Sequence, residues 1–281
     1  MKLKLCVFSS GSDGNSSLLE SDNGKILIDV GLTRKAICEN LEKSATDMSE
    51  IDAIFITHEH IDHVKGLLVI LKKDNIKTYM TKGTFEALKG CSFVRNNPDN
   101  IKLLEEKKKE GIIKIIKRDE NGFYYEAINV KDFYVIPIPT FHDALESVGF
   151  IFINNMKRFV YITDTGYVHN ALFNLIENAD AYLLESNHDP EILLSSDRPY
   201  NLKMRILSDH GHLSNLDSML TLAKTIGENT KLIMHAHISQ ECNLTQIIEL
   251  ERDKVFKEYE IDTKDIDFVI LRPFRSKEYE I

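Results

Sequence analysis

The segment Thr57-His58-Glu59-His60-Ile61-Asp62-His63 places three imidazoles and an aspartate within six consecutive positions. Holding such groups together is costly unless a cation shares them. Neutral imidazole nitrogens are good ligands for borderline metals, and carboxylate oxygens suit harder ones. In a loop at a strand end, His58 and His60 alternate onto one side, while Asp62 and His63 turn toward a second position, so the spacing fits two adjacent metals. His58-Glu59 opens like the His-Glu-x-x-His helix of zinc proteases, but Asp62 stands where the second histidine belongs, which excludes that helix. A polar loop of hydrogen-bonded histidines is the alternative reading of the same residues.

One loop cannot complete a two-metal site, so further ligands are expected at other strand ends. Phe141-His142-Asp143 follows an apolar run ending in Ile138-Pro139, Thr163-Asp164-Thr165-Gly166 follows a run over 159–162, and His235-Ala236-His237 follows one over 232–234. Each is a ligand-type residue just past a predicted strand, where a sheet places groups on a common rim. An aspartate after a strand is also a common turn or cap residue, so Asp164 counts only with the others.

The elements needed to position them are legible from periodicity. Strands are predicted over 2–8, 17–20, 25–29, 51–56, 78–80, 133–138, 147–153, 158–163, 181–185, 231–234 and 267–271. Helical spacing covers 33–43, 64–73, 169–176, 216–226 and 244–259. No repeat and no Pro/Gly/Ser linker divides the 281 residues, so the chain reads as one α/β domain, 1–281, with a basic insert near 92–129. Within the insert, residues 102–118 carry seven basic and three acidic side chains. A solvated helix face explains that run; a contact to a polyanion through Lys107, Lys108 and Lys109 is the functional alternative.

Composition narrows the class. Hydrophobic residues at 43% and charged residues at 28% imply a packed core rather than disorder. The longest apolar runs are too short to cross a bilayer, so no membrane partner is expected. The apolar start, MKLKLCVF, passes after a few residues into a Ser/Gly loop and reads as a first strand. Four scattered cysteines without a Cys-x-x-Cys pair argue against a disulfide framework and fit a reducing cytoplasm. The net charge of −9 argues against non-specific nucleic-acid binding, although bound divalent metals would invert the sign of a carboxylate-lined site.

Taken in order, His58-Glu59-His60-Ile61-Asp62-His63, His142, Asp164 and a late histidine resemble the metallo-β-lactamase fold superfamily. Ile28-Asp29-Val30-Gly31 matches that superfamily's strand-end aspartate. Ser10-Gly11-Ser12-Asp13-Gly14-Asn15, Glu185-Ser186-Asn187-His188-Asp189, the run from Lys203 through Gly211-His212-Leu213-Ser214-Asn215, and His237-Ile238-Ser239-Gln240-Glu241-Cys242-Asn243 resemble its YycJ/VicX-like branch, described as phosphodiesterase or exonuclease-like. Two features depart from the branch: the insert is longer and more basic, and Cys242 replaces a usual asparagine.

The resemblance implies a four-layer αββα sandwich of two mixed β-sheets with the site on the sheet rim. It implies two divalent ions, zinc or manganese, with iron also compatible. His58, His60 and His142 would hold one; Asp62, His63 and His237 the other; Asp164 would bridge. Asp29 would support a ligand from behind, and His235 would fill the strand face. Two cations a few ångströms apart bring the pKa of a shared water toward about 7, giving a hydroxide that attacks phosphorus or carbonyl carbon. Asp62 and His212 are the candidate catalytic residues. Asn15, His188 and Ser214 are candidate substrate contacts, with a turn or helix cap as their alternative role.

Nucleic acid, DNA rather than RNA, is therefore the expected substrate of a metal-dependent phosphodiesterase or exonuclease. A small-molecule hydrolase acting on a lactone, thioester or cyclic phosphate is the second reading, and a vestigial regulatory protein the third. The basic insert, Arg198, Lys203 and Arg205 favour the first, the acidic net charge favours the second, and the intact ligand set opposes the third.

Overall fold

The computed structural model describes residues 3–281. Fourteen strands occur among them: β1 (Lys4–Ser9), β2 (Ser16–Glu20), β3 (Lys25–Ile28), β4 (Ala53–Phe55), β5 (Thr78–Thr81), β6 (Ile113–Ile116), β7 (Ile128–Val130), β8 (Phe133–Pro139), β9 (Val148–Asn154), β10 (Lys157–Ile162), β11 (Ala181–Glu185), β12 (Leu232–Ala236), β13 (Asp267–Ile270) and β14 (Glu278–Glu280). The chain forms two compact units. The first takes the described residues through Pro139, with Ala144–Val148 and Pro273–Glu280; the second takes Thr140–Asp143, Gly149–Arg272 and Ile281.

The first unit carries a seven-stranded sheet in the order β14-β1-β2-β3-β4-β5-β6. Its first strands are antiparallel and β3 to β6 run parallel. A hairpin joins β2 to β3, and the Ser21 hydroxyl accepts the Gly24 N–H at 2.9 Å to close its turn. The interior strand β4, Ala-Ile-Phe, is buried at every position, as parallel strands covered on both faces require. Ile54, Ile56, Leu67, Ile70, Leu71 and Phe85 pack in the core of this unit. Strands β7 and β8 form an antiparallel hairpin.

The second unit carries β9, β10, β11, β12 and β13 side by side. The pair β9–β10 is antiparallel and the remaining pairs are parallel. Its central runs, Phe-Val-Tyr-Ile, Ala-Tyr-Leu-Leu-Glu and Leu-Ile-Met-His-Ala, are continuously buried. Both sheets are mixed, as expected, and no helix among the described residues is long and apolar enough to cross a membrane.

Three expectations need adjustment. The helix predicted over 64–73 is two pieces, Ile61–Val64 and Leu67–Lys73, because the Gly66 N–H turns to the Val30 carbonyl at 2.8 Å. The basic run over 102–118 is half helix and half strand. Asn97 and Pro98 start a helix ending at Lys109, Gly111 takes a left-handed φ of 74° to stop it, and Ile113–Ile116 then pairs with β5. Helices Pro190–Ser195 and Tyr200–Ile206 were not predicted; they are short, and their few buried residues give little periodic signal.

Candidate metal centre

In the first unit the ligand-type residues gather where β3 and β4 end. Asp29 follows β3 in a left-handed conformation (φ 57°), and its N–H donates to the Phe55 carbonyl at 2.9 Å. Its side chain is sealed from solvent, and Oδ1 accepts the Thr57 N–H at 2.9 Å. Oδ2 lies 2.7 Å from Nδ1 of His63. Burial pushes the Asp29 carboxyl above its ordinary range, and His63 works against that rise. The Thr57 hydroxyl lies 3.0 Å from Nδ1 of His58, whose ring meets that of His60 edge-on at 4.6 Å.

Asp62 sits in the helical turn Ile61–Val64 that His60 begins. A side chain on Gly31 would come within 1.6 Å of the Asp62 carbonyl, so only glycine lets the β3 loop pass there. Asn15 completes the clasp. Its N–H donates to the Asp62 carbonyl at 2.7 Å, and its Nδ2 lies 3.3 Å from Asp62 Oδ2 and 3.0 Å from His63 Nε2. Asn15 is buried, so here it orients Asp62 and His63.

In the second unit five strand-end or loop residues converge. Asp164 follows β10 and His237 follows β12, and both are left-handed, with φ of 55° and 52°. Non-glycine residues in that region are costly and cluster at functional sites. His142 has Nδ1 2.9 Å from the Gly211 carbonyl and Nε2 3.8 Å from Asp164 Oδ1. Burial lowers its pKa, which favours the neutral ring.

The organising group is Glu185, the last residue of β11. Its Oε1 lies 2.8 Å from Nδ1 of His212 and 2.8 Å from Nδ1 of His237. Its Oε2 accepts the N–H groups of Thr165 at 3.0 Å and Leu213 at 3.3 Å. Burial alone would raise this carboxyl; the two imidazoles overcome it and hold it below the ordinary range. Ligand atoms of Asp164, Glu185, His212 and His237 all lie within 4.8 Å of one another. Sequence reasoning had not assigned Glu185 a role. A charged residue closing an otherwise apolar strand was the available signal.

The remaining candidates take quieter places. Ser214 is the N-cap of the helix Asn215–Thr225 and accepts the Asp217 N–H at 3.1 Å, the capping role weighed for it from sequence. His188 is buried, neither ring nitrogen has a hydrogen-bond partner, and burial pushes its pKa down to about 4. His235 is sealed beneath Phe268, its ring stacked at 6.4 Å with Nδ1 3.2 Å from the Ser186 hydroxyl. The cations that favoured a polyanion are largely engaged: Arg198 with Glu241, Arg205 with Asp143, and Lys203 with the carbonyls of Leu194 and Ser196. Lys107 pairs with Glu110 and Asn75, and Lys108 lies over the Phe85 ring at 4.3 Å.

Five imidazoles are thus approached at Nδ1 by an oxygen: His58 by Thr57, His63 by Asp29, His142 by the Gly211 carbonyl, and His212 and His237 by Glu185. The carbonyl and the carboxylates only accept, and the Thr57 hydroxyl gives its own hydrogen to Asp29, so in the neutral rings the proton sits on Nδ1 and the lone pair on Nε2. Metal-ligating histidines are held in this way, and the residues present fit divalent cations.

The model of the β-lactamase superfamily domain matches residues 25–236. The chain belongs to that family. Within the superfamily, the exodeoxyribonuclease WalJ of Streptococcus pneumoniae is 36% identical over 87% of this chain and 84% of its own length. The exodeoxyribonuclease YycJ of Bacillus anthracis is 34% identical over 92% of this chain and 90% of its own. The superfamily member is therefore YycJ-like, as its motifs suggested. Among solved structures, the metallo-β-lactamase fold protein YhfI of Bacillus subtilis superposes with a TM-score of 0.67 at 14% identity, covering all of both chains, and shows the fold alone. The chain is a metallo-β-lactamase fold protein of the metal-dependent hydrolase class, with a His/Asp cluster suited to divalent metal.

Proposed function

We propose that this superfamily member is a two-metal phosphodiesterase that shortens DNA from an end. One observation carries the reading: Glu185 holds Nδ1 of both His212 and His237, in a chain about one-third identical to two proteins named exodeoxyribonucleases. In this reading His58, His60 and His142 would hold one cation and Asp62, His63 and His237 the other, with Asp164 as a further donor. Zinc and manganese suit the donors, and iron is compatible. Such cations supply Lewis acidity at the phosphoryl oxygens and lower the pKa of water toward neutrality.

The chain's own residues do the remainder. Asp29 and Thr57 fix the ring of His63, and Asn15 aligns Asp62 beside it. His212, half-buried, keeps its Nδ1 on Glu185, so a ring carrying protons on both nitrogens can pass the Nε2 proton to the leaving oxygen and return to the neutral form with its Nδ1 proton still on Glu185. No serine or cysteine nucleophile is required. The four cysteines are free, which fits a cytoplasmic protein.

The test is incubation of the purified chain, with manganese or zinc, with end-labelled single- and double-stranded DNA and RNA. Stepwise shortening of DNA, suppressed by chelator, is expected. Intact polynucleotides alongside hydrolysis of a lactone, thioester or cyclic phosphate would overturn the reading.

A further inference from the structure

Phosphate and metal ligands explain cleavage but not how a strand end is held. Three rings of the second unit stand next to the candidate ligands. Phe141 immediately precedes His142, and its ring stacks on Tyr167 with centroids 4.4 Å apart and planes 23° off parallel. His169 lies 5.9 Å from Phe141 at 29°. All three side chains are only half-buried, although each is large enough to complete a core.

The rings are fixed by backbone, not left to wander. The Phe141 N–H donates to the Thr165 hydroxyl at 3.0 Å, and the Gly166 N–H donates to the Phe141 carbonyl at 2.8 Å. The Thr165 hydroxyl donates to the Tyr167 carbonyl at 2.7 Å. Nδ1 of His169 accepts the Ala171 N–H at 3.1 Å. The Thr165 N–H rests on Glu185, the same carboxylate that holds His212 and His237. One buried group therefore sets the position of both the histidines and the ring cluster.

Charge indicates which part of a nucleotide the cluster suits. The main chain of Asp209 lies against Gly166, which places an exposed acidic residue beside the loop that carries Tyr167. A phosphate there would be repelled, whereas an uncharged base would not. Aromatic faces bind unpaired bases with little regard to sequence, because every base has a π-face.

We propose that Phe141, Tyr167 and His169 form a stacking platform for the base of an unpaired nucleotide beside the bond to be cleaved. This rests on the nuclease reading and deepens it: the substrate end is single-stranded and is held through its base. A paired end must fray before it docks.

The experiment uses the full chain in chelator, where no strand is cut, and single-stranded oligodeoxynucleotides with 2-aminopurine at the 5′ end, the 3′ end or mid-strand. Quenching at one end is expected. Replacing that end with an abasic nucleotide should weaken binding about tenfold, the scale of one stacked base. Tyr167→Ala should lose the quench and Tyr167→Phe keep it, with thermal melting to show both fold. In manganese, kcat/KM should fall for the abasic end while it is unchanged for an abasic site far from the ends.

If native and abasic ends bind and are cut alike, or Tyr167→Ala quenches like the parent, the platform is wrong while the nuclease reading stands. If the parent chain neither binds nor shortens any oligonucleotide, the nuclease reading fails and the platform with it.

Discussion

Glu185 Oε1 stands 2.8 Å from Nδ1 of His237, and the carboxylate receives three further donors, His212 Nδ1 and the N–H groups of Thr165 and Leu213. Four donors on one buried group require a pure acceptor. Glu185→Gln should therefore disrupt the site, because the amide NH2 would face N–H donors. Metal affinity should drop about 10- to 100-fold, the scale seen for groups behind metal-bound histidines. Calorimetric metal titration checks this; wild-type affinity in the variant would remove Glu185 from that role.

Asp62→Ala should lower turnover by roughly two orders of magnitude or more while the fold persists, because transition-state charge loses its stabilisation. Asp62 is half-buried and its main-chain contacts to Asn15 remain, so melting should move little. Turnover on labelled DNA with metal content measured in parallel decides it, and near-normal activity in a loaded variant would reject the assignment.

His212→Ala should lower turnover about 10²- to 10⁴-fold, the range for a lost general acid, with metal content unchanged. Loss of metal would instead make His212 a ligand, which its place beside Asp164, Glu185 and His237 makes a sharp alternative outcome.

His188 makes the fold acid-sensitive. Burial depresses its folded pKa to about 4, against an ordinary value of 6.5, so its contribution is present above pH 6.5 and is lost as pH falls toward 4. At pH 5 the loss is about 2 kcal/mol, since each unit is ~1.4 kcal/mol. Denaturant unfolding of chelated protein at pH 7 and pH 5 should show a loss larger than that, because buried His235, pushed down to about 3, adds its own, and His188→Leu should remove the His188 share. An unchanged acid limb in the variant would assign the sensitivity elsewhere.

Changing Lys107, Lys108 and Lys109 together to Glu should leave the salt dependence of DNA binding within about one contact, roughly 0.7–0.9 in slope, because two of the three already have partners in the fold. Stability should fall as the Lys108–Phe85 contact is lost. A loss of two or more units of slope would restore the insert as a polyanion lane.

The cluster over 57–63 was legible in the sequence because ligand chemistry is a property of residue types, and crowding so many imidazoles and carboxylates is costly without a cation to share them. Asp164 and His237 were legible as strand-end residues because strands with parallel neighbours read as continuous apolar runs, and His142 because the antiparallel strand β8 ends in the apolar Ile138-Pro139. Sequence periodicity also located most strands, since burial on both faces leaves a composition signal. It missed β14, whose three residues carry no pattern, and placed Ile113–Ile116 inside a basic helix face because charge masked the isoleucines.

Tertiary structure alone decided which groups stand behind the ligands. Residue type marks Glu185 as a possible partner of many histidines, but only the parallel pairing of β11 with β12 sets its carboxylate beside the turn that carries His237. From sequence Asn15 is a candidate substrate contact or a turn residue; only the fold, with the β3 loop passing beneath Asp62 at Gly31, sets its amide beside Asp62 and His63. The physical reason is range: ligand types and strand periods are local along the chain, whereas a hydrogen bond spanning 52 residues exists only once the sheet brings its ends together.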